Sequence, residues 1–320
     1  METELNISGV SENLAESIAE RSEDQIANVP ASFLHDRKIA ISVSVSEELE
    51  YLGLSSNHLD DISIEIARYL IVNGATMLYG GDLRQGGFTR LFAELSYQYK
   101  YLSDKERRFV NYFPFPNSSY VSIDEKANFV KQQVEPLILD VPMHLGAFDR
   151  QKYFKPFEDV IDRYIFSECF ADMRITMAKD SNARIVLGGK QNGFLGYLPG
   201  IIEEAYHTMS LKKPIFILGG FGGAANSLAH LILGEQPRQL TNEFQYNSDF
   251  LNKFREYCSG KSSTPIDYEE ISDFFRGHTI ENISELNGLS LIENKILFES
   301  TNIHELVFLL IKGLKNIFNR

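Results

Sequence analysis

The sequence is poor in cysteine, in basic residues and in long apolar runs. Of its 320 residues only Cys169 and Cys258 are cysteines, and they form no C-x-x-C spacing. A disulfide scaffold and a structural zinc site are therefore unsupported, and the expected compartment is the cytoplasm. No apolar run approaches the roughly 18 residues that a membrane span requires. The acidic opening stretch METELNISGVSENLAESIAERSED has no basic n-region of the secretory type. The expectation is a soluble protein without a membrane partner. Lysine and arginine total 31 against 44 aspartates and glutamates, a formal net charge of −13, which weighs against a nucleic-acid backbone as the main partner.

Several catalytic templates are missing too. Gly219 to Gly223 does not complete G-x-G-x-x-G, and the place after the first expected strand holds serines instead. G-x-x-x-x-G-K-[ST] and G-x-S-x-G are absent, and His304-Glu305 lacks the second histidine of H-E-x-x-H. Hydride transfer, P-loop hydrolysis, serine hydrolysis and zinc proteolysis lose their usual supports.

What is present is a series of short apolar runs that end in glycine or serine. Arg184 to Leu187 leads into Gly188-Gly189, and Pro214 to Leu218 into Gly219-Gly220. Each run is too short for a helix and rich in Ile, Val and Phe, and each is followed by a helical pattern, as in a βαβ unit. Upstream, Lys38 to Ser44 alternates as a first strand ending among Ser42, Ser44 and Ser46. Helical spacing from Asp60 to Val72 stops at Asn73-Gly74. Ala75 to Tyr79 then runs into Gly80-Gly81-Asp82, and after Gly86-Gly87 a helix carries Leu91, Leu95 and Tyr99. Strand, glycine turn and helix together offer free N–H groups and a positive dipole end, which suits a phosphate. Glycines serve turns that bind nothing just as readily, so the ordinary reading stands beside the functional one at each turn.

A further strand is expected at Arg108 to Phe113, followed by an insertion over the binding edge at about 114–150. A helix should run from Phe157 to Asp180, with Cys169 on its buried stripe. Arg174 near its end offers a planar fork for phosphate or carboxylate; its ordinary role would be a surface ion pair. Pro199-Gly200 opens the next helix, with Glu203-Glu204 in its first turns. These carboxylates could complement the helix dipole, orient a ribose hydroxyl or assist glycosidic cleavage. His207 would bind metal only with further ligands, and none is evident.

The run M-R-x-x-M-A-x-x-x-x-A-R-I-V-L-G-G from Met173, then P-G-I-I-E-E-A and K-P-I-F-I-L-G-G-F-G-G-A-A, resembles the SLOG superfamily. That superfamily unites DprA-type proteins with the LONELY GUY nucleoside-monophosphate phosphoribohydrolases. K-I-A-I-S-V-S and G-A-T-M-L-Y-G-G-D-L-R-Q-G-G-F-T resemble its subgroup in bacterial conflict systems, some members of which are coupled to TIR domains. The resemblance covers about residues 36–235. It implies an α/β, Rossmann-like, mostly parallel sheet with helices on both faces. Arg174 and Gly188-Gly189 match motifs of the superfamily, and with the strand-end serines and glycine turns read above the candidate ligand contacts are Ser42, Ser44, Gly80, Gly81, Asp82, Gly86, Gly87, Arg174, Gly188, Gly189, Gly219, Gly220, Phe221, Gly222 and Gly223. In an enzyme, Arg174, Glu203 and Glu204 would be catalytic. The hydrolases hold glycines and glutamate in one P-G-G-x-G-T-x-x-E run, whereas Lys190 to Leu198 intervene here, which fits a ligand sensor better than a hydrolase.

Residues 1–35 are expected as a helical or flexible extension, with Ile7, Val10, Leu14 and Ile18 at helical spacing, and 236–320 as a helical extension. The apolar helix from Ile303 to Phe318 would pack on the core or at the interface of a homo-oligomer. Two function classes remain. One is a sensor of a nucleotide-derived ligand of ADP-ribose or NAD type, requiring no cofactor and reporting to an effector such as a TIR-domain protein in antiphage defence. The other is a nucleotide N-glycosidase.

Overall fold

The computed structural model of the chain describes residues 32–80, 87–99, 108–132, 134–150, 157 and 159–319. Six strands form one parallel sheet: β1 (Lys38–Ser44), β2 (Thr76–Tyr79), β3 (Phe109–Phe113), β4 (Val134–Ile138), β5 (Ala183–Gly188) and β6 (Ile215–Leu218). Their order is β4-β3-β2-β1-β5-β6. Every residue from Ile39 to Val43, from Ala183 to Gly188 and from Ile215 to Leu218 is buried, as expected of strands covered on both faces. From β1 the chain moves outward through β2, β3 and β4, then returns to lay β5 on the other side of β1. The order therefore reverses between β1 and β5, where Ser44 pairs with Gly188. In open α/β sheets the crevice beyond such carboxyl ends is where ligands bind.

The helices are α1 (Ser56–Val72), α2 (Phe88–Gln98), α3 (Ile123–Lys131), α4 (Val160–Asp180), α5 (Gly200–Ser210) and α6 (Gly223–Ile232), followed by α7 (Asn242–Gln245), α8 (Asp249–Cys258), α9 (Tyr268–Arg276), α10 (Ile280–Asn287), α11 (Leu291–Glu299) and α12 (Ile303–Phe318). On one face of the sheet Ala40, Leu78, Val110 and Tyr112 meet Met173 and Met177 of α4. On the other, Phe92 of α2 packs edge-on against Tyr79 and Phe109. Gly313 of α12 approaches Phe216 so closely that a Cβ there would lie 2.5 Å from the ring. The terminal helix thus covers the core of its own chain.

The structure differs from the sequence reading in two places. Segment 114–150, expected as an insertion, contains α3 and β4, and β4 is the outer strand of the sheet beside β3. Pro136 explains the position, because a proline that cannot donate to a ladder is tolerated on an edge strand. The residues past 235 belong to one compact unit, Leu34–Arg320, together with the residues before them. Helices α10 and α11 were not anticipated. The expected N-terminal helix lies outside the described residues.

Candidate functional site

Parallel register places Ala40 beside Arg184 and Ser42 beside Val186. Ser42 and Arg184 therefore project to the face covered by α4 and α5. Arg184 is completely buried. Its Nη1 donates to Ser42 Oγ at 2.7 Å and to Glu204 Oε2 at 2.6 Å, and its Nε donates to Thr208 Oγ1 at 2.7 Å. Glu204 and Thr208 are one turn apart on α5, so a single guanidinium spans both. The Ser42 hydroxyl also donates to Glu204 Oε2.

Arg174 enters from α4. Its Nη1 donates to Glu203 Oε2 at 2.7 Å, and its Nε stands 3.9 Å from Glu204 Oε1. Leu198 N donates to Glu203 Oε2 at 3.3 Å. Neighbours on a helix point about 100° apart, so each glutamate takes a different arginine. The four charges alternate in sign. Arg174 Nε, Arg184 Nη2 and Glu203 Oε1 are buried without a hydrogen-bond partner among the described residues, leaving the cluster with unused polar capacity.

Burial sets the electrostatics. It raises the Glu203 carboxyl above its usual range, against the opposing effect of Arg174, and lowers the Arg184 guanidinium, against the effect of Glu204. His207, on the same helix, is pushed down to about 3, first by burial and then by Arg174 and Arg184. It is a neutral imidazole whose Nε2 lies 3.2 Å from Thr264 Oγ1. Among the described residues no group of three or more His, Cys, Asp or Glu could hold a metal. Burial pushes the Cys169 thiol up to about 12, which suits packing and not reactivity.

The glycines divide by neighbour. Gly188 and Gly189 have φ of +64° and +100°. A Cβ on Gly188 would lie 2.6 Å from Ser44 O. Gly189 donates its N–H to Ser44 O at 2.8 Å, and its carbonyl accepts from Ala224 N at 3.1 Å. This pair ties β1, β5 and α6 together. Gly222 leads into α6, and the N–H of Gly223 donates to Glu48 Oε2 at 2.7 Å. The positive end of α6 thus already faces a carboxylate, beside Ser46. Gly219 and Gly220 face elsewhere: a Cβ on either would come within 2.4 Å of Phe298 O and 2.2 Å of Ser300 O, respectively. Phe221 is buried. Gly219 and Gly220, expected among the ligand contacts, thus lie against the protein's own C-terminal segment.

Gly80 lies against Met173, with a Cβ contact of 3.0 Å, and so approaches the helix turn that carries Arg174. Gly87 is the N-cap of α2. Gly81, Asp82 and Gly86 lie outside the described residues. The structure thus brings Ser42, Arg174, Glu203 and Glu204 into one cluster, with Ser44, Gly188, Gly189, Gly222 and Gly223 at the strand ends.

Sequence reading missed Arg184, Glu48 and the glycines that cradle Arg174. A Cβ on Gly196 would meet Arg174 Nη1 at 2.6 Å and one on Gly200 would meet Nη2 at 3.0 Å. Arg184 did carry a signal: it is a lone arginine inside the apolar run Ala183 to Leu187. The intervening segment Lys190 to Leu198 therefore reaches the cluster through Gly196 and Leu198. A wider cleft, about 810 Å³, lies elsewhere between α8 and the loop before α9. Its Arg255 is paired with Asp267 at 2.9 Å; the charge cluster marks the candidate site because it lies beside the reversal of strand order between β1 and β5, where open α/β sheets bind ligands.

No curated protein matches the sequence. A family model described as SLOG cluster2 matches residues 33–297, well past the 36–235 span of the motif resemblance and into α11. With most of its length matched and a six-stranded parallel sheet flanked by helices, the chain belongs to the SLOG cluster2 family of the SLOG superfamily.

Proposed function

We propose that the protein binds a nucleotide-derived ligand, of ADP-ribose or NAD type, in the crevice between the ends of β1 and β5, and acts as a sensor. The observation that carries this reading is the state of its two glutamates. Glu203 is wholly buried and held by Arg174, while Glu204 is held by Arg184 and Ser42. Carboxylates engaged in this way are suited to orient donors, such as ribose hydroxyls, more than to shuttle protons. Arg174 and the N-terminus of α6 supply donors of the kind that phosphates take. Membership of the SLOG superfamily supports a nucleotide-related ligand. On this reading the ligand's phosphate replaces the Glu48 carboxylate at Gly223 N, and the resulting movement of the loop after β1 is the signal. The resemblance to conflict-system proteins suggests the receiver, a TIR-type effector in bacterial defence.

The second reading, an N-glycosidase, is favoured by one observation: Glu204 keeps 11% of its side-chain surface and has an oxygen only loosely held, 3.9 Å from Arg174 Nε. Incubation with NAD, ADP-ribose and nucleoside monophosphates, read by chromatography and by thermal stabilisation, separates the two. Stabilisation without release of free base is expected. Release of base would establish the enzyme, and absence of any stabilisation or turnover would remove both readings.

A further inference from the structure

A second group of buried polar atoms lies outside the Arg174 cluster. A cavity of about 80 Å³ is enclosed by Arg163 of α4, Gly193 and Tyr197 of the 190–198 loop, Tyr246, Phe254 of α8 and Tyr268 of α9. None of the residues of the Arg174–Arg184 network lines it. Arg163 is 9% exposed. Its guanidinium lies over the Phe254 ring, 4.5 Å from the centroid, and among the described residues it reaches one carbonyl, Phe194 O, at 3.5 Å. Its Nε is buried without a partner. Among the described residues no carboxylate pairs with it, in contrast to Arg174 and Arg184, each of which has a glutamate. A buried cation without a counter-ion is costly, and a stacked aromatic ring offsets only part of that cost.

The three tyrosines of the cavity sharpen the point. Tyr197 donates to Glu168 Oε1 at 2.6 Å, and Tyr246 donates to Ile266 O at 2.6 Å. Tyr268 is 0% exposed, and its hydroxyl has no hydrogen-bond partner among the described residues. Buried hydroxyls are rarely left so. An orphaned cation and an orphaned phenol therefore line the same small space.

We propose that this cavity binds a compact oxyanion, a carboxylate or a phosphate group, that accepts hydrogen bonds from Arg163 Nε and the Tyr268 hydroxyl. The volume is sufficient: a water needs roughly 10–15 Å³ of such space, so one small anionic group with a few waters fits. Burial raises the Tyr268 phenol well above its usual range and lowers the Arg163 guanidinium, so the phenol stays a donor and an anion would restore the guanidinium. Gly193, exposed and with no atom within 4 Å of its Cβ position, marks the open side. Tyr197 belongs to the same loop as Gly196, which lies against Arg174. The site does not depend on a nucleotide binding at the strand ends, but its occupant would touch the loop whose Gly196 lies against Arg174.

Thermal unfolding of the full chain in increasing sodium phosphate and, separately, sodium acetate, against sodium chloride at matched ionic strength, tests the proposal. One of the two oxyanions should give a saturable rise in Tm beyond that of chloride; which one does identifies the group. Tyr268→Phe, which removes one atom from a packed ring, should fold and bind the anion at least fivefold more weakly. Arg163→Met should abolish the response while leaving nucleotide stabilisation at the strand ends intact. The proposal fails if neither oxyanion exceeds chloride, or if the response survives unchanged in Tyr268→Phe, which would place the anion elsewhere. Should Arg163→Met not fold, the Tyr268→Phe titration decides.

Discussion

Arg184 Nη1 donates to Ser42 Oγ at 2.7 Å across 142 residues of sequence, from the start of β5 to the middle of β1. Because Glu204 Oε2 accepts from both, one carboxylate of α5 is bolted to the two central strands. The strand-order reversal is thus held by charge as well as by backbone pairing.

Such a cluster is fragile to partial removal. Arg184→Met should cost about 3–5 kcal/mol, because it removes the nearest counter-charge of Glu204 and leaves that carboxylate with the Ser42 hydroxyl and the more distant Arg174 alone. Arg184→Met with Glu204→Leu should recover more than half of that loss, since apolar replacement of a whole buried pair is often neutral. Urea unfolding of the three proteins measures both. A single variant within about 1 kcal/mol of the parent would mean that the pair is not energetically buried.

The two halves of the Gly219 to Gly223 run should respond differently to alanine. At Gly220 a Cβ would meet Ser300 O at 2.2 Å, a backbone atom that cannot swing aside. Gly220→Ala should therefore destabilise by roughly 1–3 kcal/mol and leave ligand affinity of the folded fraction unchanged. At Gly223, where the N–H meets Glu48, the same change should weaken ligand binding too. Denaturation and ligand titration, run together, give the two readouts. Equal losses of affinity at Gly220 and Gly223 would return Gly219-Gly220 to the ligand rim.

The sheet was legible because its central strands are apolar and punctuated by glycine: Lys38 to Ser44, Arg184 to Leu187 and Pro214 to Leu218 each announce an element that the structure contains. β4 was not, because Glu135-Pro136 breaks the apolar pattern on a strand that needs only one neighbour. Helices α10 and α11 are 8 and 9 residues long and left only their caps as signals, Thr279 with Asn282 and Ser290 with Glu293. At the site, residue types pointed to Arg174, Glu203 and Glu204, but spacing could not show that a second arginine, from the opposite end of β5, holds Glu204. The glycine pair at 219 looked like its counterpart at 188; only the fold distinguishes a glycine facing a strand end from one facing Ser300.

Acid should weaken the fold through His207. Folded, it stays neutral down to about pH 3; unfolded, it titrates near 6.5. Its contribution is therefore complete above pH 6.5 and is lost as pH falls toward 3, because only the unfolded chain takes up the proton, at up to about 1.4 kcal/mol per pH unit. Glu203, raised by burial, acts with the opposite sign, since acid relieves its buried charge. His207→Gln should flatten the fall in stability between about pH 6 and pH 4. Parallel stability–pH curves for the two proteins would show that His207 does not titrate differently in the two states.

Gly196 offers the most direct handle on Arg174. A Cβ there would lie 2.6 Å from Nη1 and 3.2 Å from Glu203 Oε2. The guanidinium is the end of a flexible side chain, so Gly196→Ala should displace it at a stability cost of about 1–3 kcal/mol without preventing folding. If Arg174 grips the phosphate of a nucleotide ligand, affinity should fall at least tenfold, a loss of about 1.4 kcal/mol or more in binding. Gly193→Ala is the matched control. It lies in the same loop at φ +61° with open space around its Cβ position, so it carries roughly 1 kcal/mol of backbone strain with no push on Arg174. Calorimetric titration with ADP-ribose should therefore separate the two alanines. Equal affinities for both would mean that Arg174 serves the fold alone, as the partner of Glu203.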